Sequence, residues 1–254
     1  MKELRIKELD VDAMIQPTTN SLDKNLSQKL VVVGKPGTGK TTLITSLMYK
    51  KRHLLPACLI VSGTEDSNSH YGKIVPESFV HNKYSEELID KFILRQKLAK
   101  KHLSQPWSLL LLDDCADDPK IFNKTQFHSI FKNGRHWKLL FLLSLQYSGD
   151  LRPVIRTNID GCFLLKENIL RNRRVLYENY AGCIPTFQLF CQLMDALTSD
   201  YCALYINNSS QSNELEDMVF YYKAKPPPDD FKFGCKDLYK FHNHRFNPNA
   251  GYKI

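Results

Sequence analysis

At 254 residues with 43% hydrophobic content, the chain has apolar material for one substantial core and too little length for two full domains. Its formal charge of +8 leaves a basic surplus, which suits polyanionic partners such as nucleic acid and also many ordinary soluble proteins. The longest apolar runs, such as LLFLLSL, are far shorter than the ~20 residues a membrane-spanning helix needs, and MKELRIKELDVDAM has no apolar signal core, so a soluble chain without a secretion signal is expected. The seven cysteines are scattered, odd in number and often set in apolar runs, and no CxxC pair occurs. That usage fits reduced, buried thiols in an intracellular compartment.

In chain order, residues 1–25 read as a peripheral segment. Continuous apolar runs then follow at Leu30–Val33, Leu59–Ser62, Leu109–Leu112 and Leu139–Ser144, the pattern of parallel strands covered on both faces. Helices are expected between them at 39–51, 85–103 and 122–134, with Ser85 a capped start and Gly134 a stop. Beyond Arg152 come a strand near 160–165, helices near 168–178 and 186–197, and strands at 202–207 and 218–223. This alternation predicts an α/β domain over 26–225, with a mostly parallel central sheet flanked by helices on both faces. The consecutive prolines of KPPPDD remove backbone donors and enforce an extended chain, so 226–254 reads as a tail lying over the domain or docking a partner.

The stretch KLVVVGKPGTGKTTLI, residues 29–44, sets glycines and a proline between a strand and a helix. Gly34, Gly39, Lys40 and Thr41 fit G-x-x-x-x-G-K-[ST], a Walker A phosphate loop. Its glycines let successive N–H groups turn around a phosphate, and the following helix adds its N-terminal partial positive charge. Gly34, Lys35, Pro36, Gly37, Thr38, Gly39, Lys40, Thr41 and Thr42 would wrap the phosphates of ATP. Lys40 would neutralise the β and γ oxygens, and Thr41 would offer a hydroxyl to Mg2+. In SLLLLDDCADD a leucine run ends at Asp113 and Asp114, a Walker B arrangement at the strand tip where the phosphate loop must also lie. Asp113 would hold Mg2+ through its water shell, and Asp114 would orient or deprotonate the attacking water. The structural alternative is that the pair caps the next helix. Gln146 ends the strand KLLFLLSLQY, where its amide can sense the γ phosphate or be a solvated terminus. This strand order is that of P-loop ATPases of the additional-strand type, which insert a sensor strand between the two Walker strands.

Together, GKPGTGKTT, LLLLDDC, NGRHWKLLFLLSLQY and VIRTNIDGCFLL resemble the genome-packaging ATPases of large double-stranded DNA viruses, the poxvirus-type branch of the FtsK/HerA superfamily. The resemblance spans about residues 28–223. It implies a ring-forming, ATP-hydrolysing motor that drives duplex DNA into a preformed capsid, working with a capsid or portal-vertex protein in the host-cell cytoplasm at sites of virus assembly. It also implies Lys40 and Thr41 as Walker A residues, Asp113 and Asp114 as the Walker B pair, and Gln146 as the sensor. A motor ring needs an arginine reaching the neighbouring subunit's γ phosphate. Arg135 is the first choice because it precedes the sensor strand, with Arg156 and Arg152 as alternatives.

Two basic runs, Lys50–His53 and Arg171–Arg174, could meet DNA phosphates or be solvated helix ends. KFHNHRF with Cys235 upstream matches no common zinc-finger spacing. Two other functions share the motifs: a nucleoside or nucleotide kinase with Arg171, Arg173 and Arg174 as a phosphate-clamping lid, and a non-packaging DNA translocase of the same superfamily.

Overall fold

Unbroken apolar runs become strands with both faces covered, because such a run has no side to turn to water. The computed structural model, which describes residues 5–14, 27–115, 119–147, 149 and 151–246, arranges them in one sheet. Its strands are β1 (Lys7–Glu8), β2 (Lys29–Val33), β3 (Ala57–Ser62), β4 (Val80–His81), β5 (Ser108–Asp113), β6 (Leu139–Leu145), β7 (Gly161–Leu164), β8 (Cys202–Asn207) and β9 (Val219–Lys223). The helices are α1 (Val11–Met14), α2 (Lys40–Lys51), α3 (Glu65–Asn68), α4 (Glu86–His102), α5 (Thr125–Asn133), α6 (Pro153–Arg156), α7 (Leu170–Tyr180), α8 (Phe187–Leu197) and α9 (Lys236–Arg245).

The strand order is β1-β9-β8-β7-β2-β6-β5-β3-β4. All neighbours are parallel except β7 with β8 and β8 with β9, so the sheet is mostly parallel, as expected. β6 lies between β2 and β5, pairing Val33 with Leu145 on one side and Leu143 with Leu112 on the other. This is the inserted-strand layout read from the motif order. Every residue of β2, β3, β5, β6 and β7 is buried. Alternation divides them between two cores. Val31, Val33, Leu110, Leu112, Phe141 and Leu143 face α4, α5, α7 and α8, whereas Leu30, Val32, Leu109, Leu111, Leu140 and Leu142 face α2 and the two terminal segments. Fully burying each such side chain is worth about 1.5–3 kcal/mol.

Helix starts follow capping chemistry. Ser85 accepts from Leu88 N at 3.4 Å, and Thr186 accepts from Leu189 N at 3.1 Å. The helix expected over 122–134 is shorter, 125–133, because single 3-10 turns at 119–123 and 134–137 flank it. The helix near 168–178 is displaced to 170–180, since the Glu167 carboxylate accepts from Ile169 N at 2.8 Å and holds the chain in a turn before the first helical residue.

Both terminal segments contribute to packing. β1 pairs in parallel with β9 at the sheet edge, and Leu9 and Val11 are buried. Beyond the prolines, Phe231 and Phe233 enter the core under α2. Phe233 N donates to Ile74 O at 2.9 Å and Cys235 N to Pro56 O at 2.8 Å, so the tail lies over the domain. Two-residue strands at both edges leave little unpaired ladder to recruit another chain.

Candidate active site

Parallel pairing brings the C-terminal ends of β2, β6 and β5 side by side, and the predicted residues follow from those ends. After Val33 the chain turns sharply. A Cβ at Gly34 would sit 2.6 Å from Thr38 Oγ1 and 2.8 Å from Leu165 Cβ, so only glycine fits there. Gly39 has φ +98°, a left-handed conformation that turns the loop into α2. Thr38 Oγ1 donates to Lys35 O at 2.7 Å and closes the loop on itself.

Lys40 is buried at the first turn of α2. Its Nζ donates to Gly34 O at 2.9 Å and lies 3.7 Å from Asp114 Oδ1. The predicted Walker A lysine and one predicted Walker B carboxylate therefore meet. Asp113, the last residue of β5, accepts from the buried Tyr71 hydroxyl at 2.7 Å through Oδ2. Burial pushes the Asp113 carboxyl above its ordinary range, and the Tyr71 hydrogen bond opposes that rise. Burial also pushes the Tyr71 hydroxyl well above its own, so it remains a proton donor to Asp113. Asp114 has a left-handed backbone, φ +46°, uncommon outside glycine.

Asp113 Oδ1, with Ser144 Oγ close by, and Asp114 Oδ1, facing Lys40, are buried and make no well-formed hydrogen bond among the described residues. Two orphaned carboxylate oxygens beside a lysine fit a bound Mg2+ with its water shell, since oxygen donors suit that hard cation. Thr41 lines the same cleft, and its carbonyl accepts from Thr45 Oγ1 at 2.7 Å.

Gln146 follows Leu145, whose carbonyl accepts from Gly34 N at 3.1 Å, so its exposed side chain stands beside Gly34 and Lys35. Lys35 itself pairs with Glu167 at 2.5 Å. The structure thus brings together the phosphate loop, Asp113 and Asp114, and sets Gln146 in a neighbouring cavity with Gly34, Lys35 and Glu167 rather than in the cleft of Lys40, Thr41 and Asp114. It places Arg135 elsewhere, before the start of β6 and about 20 Å of strand from Gln146. There its Nη2 lies 3.1 Å from Asp160 Oδ1, an aspartate that also pairs with Lys29 at 3.0 Å. Arg135 cannot reach the phosphate loop of its own subunit.

In the Lys50–His53 run Lys50, Arg52 and His53 are exposed, and two of the cations are engaged by Asp12. Lys51 is buried and donates to Asp12 O at 3.1 Å, Lys50 donates to Asp12 Oδ2 at 3.1 Å, and Arg52 lies over the Tyr49 ring at 3.9 Å. The cause is α1, which docks on the last turn of α2. In the second run, Arg173 is tied to Glu167 O at 2.6 Å and Arg174 sits over Phe187 at 4.1 Å. Arg171 is exposed.

Sequence reasoning missed three contributors. Tyr71 is held by Glu65, whose carboxylate accepts from Tyr71 N at 3.0 Å and Gly72 N at 2.7 Å. Glu167 holds Lys35, and Tyr201 stands against the loop at Gly39. None belongs to a local motif, and long-range packing alone brings them in. The cleft that Tyr201 shares with the loop and Asp114 has a volume of about 720 Å3.

No family model matches the chain. Protein 075L of Invertebrate iridescent virus 6 is 48% identical over 250 residues, covering 97% of this chain and 96% of that protein. Protein 015R of Frog virus 3 is 36% identical over 245 residues, covering 95% of this chain and 76% of that protein. Among solved structures, the genome packaging NTPase B204 from Sulfolobus turreted icosahedral virus 2, in complex with AMPPCP, superposes with a TM-score of 0.56 at 16% identity, covering 79% of this chain and 98% of that one. ATPases 2 and 3 of EssC from Geobacillus thermodenitrificans give a TM-score of 0.54 at 12% identity, covering 87% of this chain and 46% of that one. At these identities the likeness is one of fold, and the fold is that of P-loop ATPases.

Proposed function

We propose that this chain, which belongs to the viral protein family that includes 075L and 015R, is an ATP-hydrolysing motor that moves double-stranded viral DNA into a preformed capsid. The observation carrying the reading is the approach of Lys40 Nζ to Asp114 Oδ1 at 3.7 Å, under a glycine loop shaped for phosphate. Lys40 holds Gly34 O and Asp114 with the same charge that would meet the β and γ phosphate oxygens. Bound ATP would replace those contacts, leaving Asp114 free to hold the attacking water and take its proton. Gln146 would position that water from the tip of the neighbouring strand, β6. Asp113 and Thr41 would hold Mg2+, which when bound neutralises charge building on the phosphates. The paired carboxylates and strand-end amide favour transfer to water over transfer to a nucleoside. The genome packaging NTPase among its fold relatives supports a viral genome as the cargo.

In this reading residues 26–225 form the motor domain, the segments 1–25 and 226–254 flank it, and subunits assemble in a ring at a capsid or portal-vertex protein. The site of action is the host-cell cytoplasm where virions assemble. Arg135 would act on a neighbouring subunit's nucleotide, since its own loop is out of reach. DNA contact would be nonspecific and through phosphates, because a motor must pass over any sequence.

The test is phosphate release from ATP with and without duplex DNA, alongside nucleosides as acceptors. Free phosphate, stimulated by DNA and suppressed by salt, is the expected outcome. Transfer to a nucleoside would establish the kinase alternative, and a DNA-stimulated enzyme dispensable for virion filling would establish the non-packaging translocase. Mixing Arg135→Ala with Lys40→Ala subunits tests action in trans. Recovered activity is expected, and none would remove Arg135 from the reaction.

A further inference from the structure

The nucleotide cleft has two walls. One is the phosphate loop, and the other is the turn at Asp200 and Tyr201 together with Lys223, Ala224 and Pro226. The second wall is assembled by sheet register: Cys202, the first residue of β8, pairs with Lys223, the last of β9, so the turn before one strand lies beside the chain leaving the other. Lys223 donates to the Asp200 carboxylate and clamps the two together. Cys202 N donates to Ser199 O at 3.1 Å and closes the turn.

That turn is strained. Asp200 and Tyr201 both have left-handed backbones, φ +52° and +58°, a costly arrangement for two successive residues that are not glycine. Its result is an aromatic ring at the cleft mouth. Tyr201 is 66% exposed, yet its ring edge approaches the loop so closely that a Cβ at Gly39 would meet Tyr201 Cδ1 at 3.2 Å. Of the large apolar side chains exposed among the described residues, it alone lines this cleft. The catalytic reading gives it no task. A triphosphate seated on the loop must direct its sugar and base out of the loop, and a flat aromatic face beside Gly39 offers the base what water does not.

We propose that Tyr201 is the nucleobase platform of this site, holding the base of the bound nucleoside triphosphate by stacking, with Ala224 and Pro226 extending the same wall beside it. The inference rests on the nucleotide-binding reading above. Stacking of a base on an aromatic ring is typically lost at a cost of roughly tenfold in affinity on alanine substitution.

The experiment compares calorimetric binding of ATP and inorganic tripolyphosphate, which has no base, to the full chain and to Tyr201→Phe, Tyr201→Ala and Tyr201→Gly, all with magnesium. The wild-type chain should bind ATP more tightly than tripolyphosphate. Tyr201→Ala and Tyr201→Gly should lose about tenfold for ATP and nothing for tripolyphosphate, while Tyr201→Phe keeps both. Because glycine accepts the left-handed backbone, Tyr201→Gly should not melt below wild type, which separates lost stacking from lost structure. Quenching of 1,N6-etheno-ATP fluorescence on binding should persist in Tyr201→Phe and vanish in Tyr201→Ala. Unchanged ATP affinity in Tyr201→Ala, or equal losses for both ligands, would overturn the platform and leave the nucleotide site standing. A wild-type chain that bound neither ligand would overturn both.

Discussion

The two ends of the central strands hold their carboxylates in opposite ways. At the N-terminal end, Asp160 is fully engaged: its Oδ2 accepts from Lys29 N at 2.9 Å and pairs with Lys29 Nζ at 3.0 Å, while its Oδ1 accepts from Arg135 at 3.1 Å and Ser209 Oγ at 3.3 Å. At the C-terminal end, Asp113 and Asp114 each keep a buried oxygen without a hydrogen bond among the described residues, Asp114 Oδ1 facing only the Lys40 charge at 3.7 Å, and Asp114 and Tyr201 are held in left-handed conformations. The same sheet delivers both sets. What differs is use, since a carboxylate that only stabilises can be saturated by the protein, whereas one that must receive an ion or a water has to keep capacity unspent.

Substitutions at the two ends should therefore fail in different assays. Lys40→Ala should bring hydrolysis to background, a loss of at least about 10^3-fold, with the fold retained. Phosphate release and thermal melting, measured together, check this. Retained turnover would move the site elsewhere.

Asp160→Ala should do the reverse. It strands Lys29, buried in β2, and frees Arg135, so unfolding in denaturant should show a stability loss of about 3–5 kcal/mol. Nucleotide affinity of the molecules that remain folded should be unchanged. A stable Asp160→Ala protein with impaired nucleotide binding would erase the contrast between the two ends.

The contrast also explains how much could be read from the chain alone. The buried strands were legible because Leu30–Val33, Leu109–Leu112 and Leu139–Ser144 are uninterrupted, and the phosphate loop because its glycines, Lys40 and Thr41 are neighbours in sequence. The place of β6 between β2 and β5 followed from the motif order, and the rest of the strand order did not. Tyr71 was illegible: its hydroxyl reaches Asp113 across 42 residues of chain, and nothing in HYGKIVP announces it. Tyr201 stayed hidden for the same reason, its place being fixed by the pairing of β8 with β9. The basic run at 50–53 left both readings open in the sequence, because charge on a helix end says nothing of what docks there, and Asp12 docks there.

Gln146→Ala should sharpen the comparison with a smaller effect, a roughly tenfold to hundredfold drop in the rate of hydrolysis with nucleotide affinity retained, read by single-turnover kinetics. Loss of binding instead would make Gln146 a structural neighbour of Gly34 and Lys35. Smallest of all, Arg52→Ala, on a solvent-exposed side chain stacked on Tyr49, should change stability by under about 1 kcal/mol and leave salt-dependent DNA binding intact. A large loss of DNA affinity would restore the end of α2 as a DNA contact.

The central claim is that Lys40 and the Asp113–Asp114 pair make one site that binds and cleaves ATP. It is tested most directly by Asp114→Asn, with ATP binding measured by calorimetry and cleavage by phosphate release on the same sample. The variant should bind magnesium-ATP about as well as wild type and leave it uncleaved. Cleavage at the wild-type rate, or a wild-type protein that takes up no ATP, would contradict the account.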